Sequence, residues 1–102
     1  MKRYLKCLQN VMQIEYTEIA IIDLTSILDI ISRDSPRRAL AYVGKIKSAI
    51  ELLALFPNLG VTCKSRGLDD VCRVMVFEHY LIFYTLDEIV TIRTIIHTSK
   101  KA

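Results

Sequence analysis

Ser35-Pro36-Arg37-Arg38-Ala39-Leu40-Ala41-Tyr42-Val43-Gly44-Lys45-Ile46-Lys47-Ser48-Ala49-Ile50-Glu51-Leu52-Leu53-Ala54-Leu55-Phe56-Pro57-Asn58-Leu59-Gly60 is the stretch from which the rest of the fold can be worked out. A capping hydroxyl followed by proline starts a helix, because proline's missing N–H costs nothing in the first turn. Ala39, Val43, Ile46, Ile50 and Leu53 recur at spacings of four and three, the seam of a helix packed nearly antiparallel on a neighbour. Phe56-Pro57-Asn58-Leu59-Gly60 ends it, since proline disfavours helix in the residue before it and glycine permits the turn.

The neighbour lies just upstream. Thr17 stands as an N-cap with Glu18 in the first turn, where a carboxylate suits the helix dipole. Ala20, Leu24, Ile27, Leu28 and Ile31 form one apolar stripe. The linking loop around Ser32 to Asp34 is short, so a helical hairpin follows. Ile19, Ile21, Ile22 and Ile30 lie outside the stripe and mark a second apolar surface, to be covered within the domain, in a homodimer or by another protein. Before the hairpin, Met12-Gln13-Ile14-Glu15-Tyr16 alternates like an edge strand.

Downstream, residues 61 to 70 are expected to form an exposed polar and basic loop carrying Lys64 and Arg66. Three strands follow, Val71 to Phe77, Tyr80 to Leu86 and Ile89 to Ile96, with Glu78-His79 and Asp87-Glu88 as two-residue turns. Alternation then places Cys72, Val74, Val76, Leu81, Phe83, Val90, Ile92 and Ile96 on one face, the expected floor for the hairpin. Arg73, Met75, Phe77, Tyr80, Ile82, Tyr84, Thr91, Arg93 and His97 fall on the other, expected to be open, with Arg73 opposite Tyr84. The fold class is α+β: a strand, a helical hairpin, then a three-stranded antiparallel meander.

The totals bound the function. A chain of 102 residues builds a single core. Hydrophobic residues make up 52%, yet charges break every apolar run well short of the roughly 18 residues of a membrane span. Residues 1–11 lack the apolar stretch and cleavage site of a secretory signal, and a cytoplasmic location is expected. Cys7, Cys63 and Cys72 are odd in number and form no C-x-x-C pair, so packed or incidental thiols are expected rather than a disulfide framework or zinc site. The net charge of +3 is uneven: residues 1–34 hold four Lys/Arg against five Asp/Glu, and residues 35–102 hold ten against six. That excess favours an acidic partner, whether protein or nucleic acid. No glycine-rich phosphate loop or internal repeat is present.

The series Thr17-x-x-Ala20-x-x-Asp23-Leu24-x-x-Ile27, then Ser35-Pro36-x-x-Ala39-x-x-Tyr42-Val43-x-x-Ile46-x-x-x-Ile50-x-x-Leu53-x-x-Phe56-Pro57-x-Leu59-Gly60, resembles the RelE/ParE superfamily of type II toxins. Tyr80-Leu81-Ile82-Phe83-Tyr84 and Ile92-Arg93-Thr94-Ile95-Ile96-His97 are similar to the end of the same pattern, so the resemblance runs from Met12 to about His97. It implies a bacterial toxin of a plasmid-stabilising kind. An antitoxin would neutralise it by wrapping a disordered segment around it, covering Ile19, Ile21, Ile22 and Ile30. It implies no cofactor and no metal. Because chains of this superfamily commonly begin just before the first strand, residues 1–11 are expected to be an extension without functional weight, with the toxin domain in 12–102 and Met12 an alternative start.

Two activities occur in the superfamily. RelE-like members cleave mRNA on the ribosome, which here would call on Arg73, Arg93 and His97 as catalytic groups, Lys64 and Arg66 as phosphate contacts, and Lys100-Lys101 on the tail. ParE-like members poison DNA gyrase. The lysine-rich element of the RelE-like branch is weakly represented and no tail tyrosine follows His97, while Ser35 to Gly60 and Tyr80 to Tyr84 look closer to the ParE-like branch, which is favoured. Each singled residue also has a plainer role: His97 a structural hydrogen bond, His79 a solvated turn, Arg73 a stack on Tyr84, Tyr42 the rim of the core, and Arg37, Arg38, Lys45 and Lys47 a solvated helix face.

Overall fold

The computed structural model describes residues 11–63 and 72–98. Residues 1–10, the expected basic loop with Lys64 and Arg66, and Lys100-Lys101 lie outside the described residues.

Strand β1, Ile14–Tyr16, leads into helix α1, Glu18–Ser32, and helix α2, Pro36–Leu55. Both helices start where the caps dictate: the Ala20 amide donates to Thr17 Oγ1 at 3.0 Å and the Arg38 amide to Ser35 Oγ at 3.2 Å. A short strand follows, β2, Val61–Thr62, and then β3, Cys72–Phe77, β4, Tyr80–Leu86, and β5, Val90–His97. They form one sheet in the order β1-β5-β4-β3-β2, with β1 parallel to β5 and the other neighbours antiparallel. The α+β fold expected from the sequence, with an edge strand, a hairpin and a meander, is the fold observed. β2 is an addition, since Val61 and Thr62 were expected in a loop.

The hairpin covers the face of β3 and β4 opposite to the one expected, while Val90 and Ile92 of β5 do face it as expected. Met75, Ile82, Tyr84, Val90, Ile92 and Ile95 are buried with Ala20, Leu24, Ile27, Ile46, Ile50 and Leu53, whereas Val76 is 64% exposed. The expectation fails for three physical reasons. Both faces of β3 and β4 are rich in apolar residues, so alternation defines two faces without saying which one is inward. The second turn has three residues, Asp87, Glu88 and Ile89, so Leu86 pairs with Val90 and Thr85 with Thr91. This one-residue shift puts Val90 and Ile92 on the same side as Tyr84. Finally, Tyr84 pairs with Ile92 while Phe83 pairs with Thr94, leaving Arg93 as a bulge that opposes nothing. Beyond it the phase of β5 reverses, and Ile95 points inward in place of Ile96.

Cys63 and Cys72 are joined by a disulfide, which corrects the expectation of incidental thiols. The odd cysteine count concealed the pair, because only the fold brings the end of β2 against the start of β3.

Candidate functional site

The residues first considered for catalysis do not converge. Arg73 lies on β3 directly across from Tyr84, as alternation predicts. Both belong to the helix-covered side, where they hold the turn after α2. The fully buried Tyr84 hydroxyl donates to the Pro57 carbonyl at 2.7 Å and accepts from the Gly60 amide at 2.9 Å. Arg73 Nη1 donates to the Gly60 carbonyl at 2.6 Å, with the Asn58 carbonyl at 3.5 Å. Burial pushes the Tyr84 phenol up, and the Gly60 hydrogen bond and Arg73 charge pull against it. Gly60 itself is hemmed in: a Cβ there would stand 2.7 Å from the Val74 carbonyl oxygen and 2.9 Å from the Tyr84 hydroxyl.

His97 sits at the other end of the meander. It pairs across β4 with Tyr80, four positions along that strand from Tyr84, which is roughly 13 Å at the usual rise per residue. There the Tyr80 ring meets the His97 ring edge-on at 4.9 Å between centroids, and His79 stacks on His97 at 5.9 Å. Arg93, exposed at the bulge, is not grouped with either. Its carbonyl accepts from Thr17 Oγ1 at 2.8 Å. Among the described residues no group of three or more His, Cys, Asp or Glu side chains could hold a metal ion.

The apolar surface is more extensive than the cationic one. Ile19, Ile21, Ile22 and Ile30 of α1 are 59%, 52%, 61% and 56% exposed. At about 100° per residue, Ile19, Ile22 and Ile30 fall within an arc of roughly 80°, and Ile21 stands on the opposite flank. These isoleucines therefore border two surfaces. On one, Ile30 edges a cleft of about 460 Å³ with Asp23, Tyr80, Ile96 and His97. On the other, Ile21 lines a groove of about 390 Å³ between the helices with Tyr16, Leu28, Val43 and Lys47. The far side of the sheet adds Val74, Val76, Leu81, Phe83 and Ile96, which alternate with the buried residues and are exposed or half-buried.

Several structural contributors carried no isolated signal in the sequence. Asp23 Oδ2 accepts from Thr94 Oγ1 at 2.7 Å and from the Ile95 amide at 2.9 Å. It ties α1 to β5 just past the bulge, and only its place in the superfamily series had drawn attention to it. Glu78, in the β3–β4 turn at φ 53°, accepts from the Tyr42 hydroxyl at 3.0 Å. Tyr42 is half-buried and packs against the core.

A two-helix hairpin on one face of such a sheet, with no metal cluster and no converging cations among the described residues, defines a small α+β domain whose prominent surfaces are apolar. The family model of the ParE toxin of type II toxin-antitoxin systems, parDE, matches residues 14–102, and the chain belongs to that family. The fold is similar to that of a solved structure described as a chromosomal ParDE TA system from P. aeruginosa, with a TM-score of 0.72 and 22% identity, over 87% of this chain and 98% of that one. No curated protein matches significantly. Among the described residues no helix is long and apolar enough to cross a membrane.

Proposed function

We propose that this ParE-family toxin acts by inhibiting DNA gyrase, that it is neutralised by an antitoxin segment laid over α1, and that growth arrest follows when the antitoxin is lost. The observation that carries the neutralisation is the exposure of Ile19, Ile21, Ile22 and Ile30, with Ile21 and Ile30 each lining a cleft. Fully burying one such side chain contributes about 1.5–3 kcal/mol, so a partner covering several has ample driving force. An amphipathic helix fits the groove that Ile21 lines, and its continuation could cross α1 towards Ile22 and Ile30.

Support for a binding toxin over a ribonuclease comes from the cations. A metal-free nuclease needs several positive or titrating groups around one phosphate. Arg73 is committed to the Gly60 carbonyl, His97 is at the far end of the sheet, and Arg93 is at the bulge. The open face of β3 and β4 carries Val74, Val76, Leu81 and Phe83 and no cationic side chain, a poor match for a polyanion.

Purified chain is expected to inhibit supercoiling by gyrase and to leave ribosome-bound mRNA intact. Normal supercoiling at saturating toxin, together with cleaved mRNA, would establish the RelE-like reading instead. The neutralisation has its own test. Ile22→Asp and Ile30→Asp, both at exposed positions, should leave the melting temperature within a few degrees of the parent and still weaken antitoxin protection at least tenfold; undiminished protection would refute this docking face.

A further inference from the structure

We propose that the Cys63–Cys72 disulfide is a reversible latch that decides whether β2 stays paired to β3. β2 has two residues, both exposed. Its ladder consists of Val61 opposite Val74 and Thr62 opposite Arg73, closed by the Cys63 amide donating to the Cys72 carbonyl at 2.9 Å. So short a strand at a sheet edge is marginal on hydrogen bonds alone. The covalent bond at the end of the ladder is thus its principal restraint.

Upstream of the latch the chain is anchored by other means. The Gly60 amide and carbonyl are taken by Tyr84 and Arg73, in hydrogen bonds that do not involve the sulfurs. Opening the latch therefore releases Val61 and Thr62 and leaves Gly60 in place. What moves is Val61, which lines a groove of about 480 Å³ together with Leu52 of α2, Leu59 and Val76. The redox state of the pair thus sets the shape of an apolar surface, independently of which target the toxin has.

The chemistry is thiol–disulfide exchange with a low-molecular-weight disulfide as the oxidant. One cysteine thiolate attacks the small disulfide and expels one small thiolate. The second cysteine thiolate then attacks the mixed disulfide and expels the other, so that two protein thiols lose two protons and two electrons and two small thiols are formed. A dithiol reverses both steps. Cys63 is buried to 1% exposure while Cys72 is half-buried, so Cys72 is the more accessible residue of the pair.

The test uses the full chain carrying Cys7→Ser, poised in buffers of oxidised and reduced glutathione. Thiol titration should show both remaining cysteines free at the reducing end and blocked at the oxidising end. Hydrogen exchange at the Cys63 amide should then accelerate about tenfold or more on reduction, with the Gly60 amide nearly unchanged. The double variant Cys63→Ser, Cys72→Ser should reproduce the reduced pattern, and the reduced parent chain gives the same comparison should that variant fail to fold. Failure of the bond to form at any poise, equal Cys63 exchange in both states, or equal loss of protection at Gly60 would each overturn the latch.

Discussion

Tyr84 shows how far one side chain can be understood from its neighbours in sequence and where that stops. Its pairing with Arg73 follows from counting along two strands joined by a two-residue turn. Its burial does not, because the groups that satisfy its hydroxyl, the Pro57 carbonyl and the Gly60 amide, belong to a turn more than twenty residues away. A tyrosine beside an arginine on a strand looks like a solvent-facing pair until such partners are known, and this is why the expected site dissolved on folding. Tyr84→Phe removes the hydroxyl and leaves a buried donor and acceptor unpaired, which is expected to cost about 1–3 kcal/mol. Denaturant titration should show the midpoint falling with little change in slope. An unchanged midpoint would mean that water replaces the hydroxyl.

Among the elements, those that follow local rules were the most legible. Thr17 and Ser35-Pro36 cap their helices where the sequence places the caps, and the boundaries of the expected strands are displaced by at most two residues. What escaped was the phase of β5. A loop one residue longer than expected and an unpaired Arg93 each shift the alternation, and a periodic reading registers neither. The same region is locked by α1, through Thr17 on the Arg93 carbonyl and Asp23 on Thr94 and Ile95. Asp23→Ala strands the Ile95 amide and the Thr94 hydroxyl. A loss of about 2–3 kcal/mol is expected for hydrogen bonds to a charged acceptor, and Asp23→Asn should recover part of it, since its amide oxygen can still accept. Equal losses for the two variants would argue against a hydrogen-bonding role.

For the whole molecule, the surplus of apolar residues was visible in the composition, but its distribution was not. The sequence located part of it on α1, correctly as to exposure; the largely apolar far side of the sheet became visible only once the helices were seen to cover the other face. The candidate cations were individually identifiable, and their separation is a property of strand order that no motif encodes. Alkali should expose a further collective trait. Burial raises the phenols of Tyr16, Tyr80 and Tyr84, and burial with the Glu78 hydrogen bond raises Tyr42 to about 12. Each folded-state value lies above the ordinary 10, so the linked stability is complete below pH 10 and is lost as pH rises towards 12. Melting temperatures measured from pH 8 to 11.5 should fall steeply above about 10, less so in Tyr42→Phe; parallel curves for the two proteins would remove Tyr42 from the account. The bare sheet face has one more consequence. Two helices screen a single side of the β-layer, so the free chain is a half-built sandwich with an oily exterior, and dilution governs how much of it stays solitary by mass action. Protein concentration is thereby a working variable of every measurement made on this toxin without its partner, on a par with salt and pH.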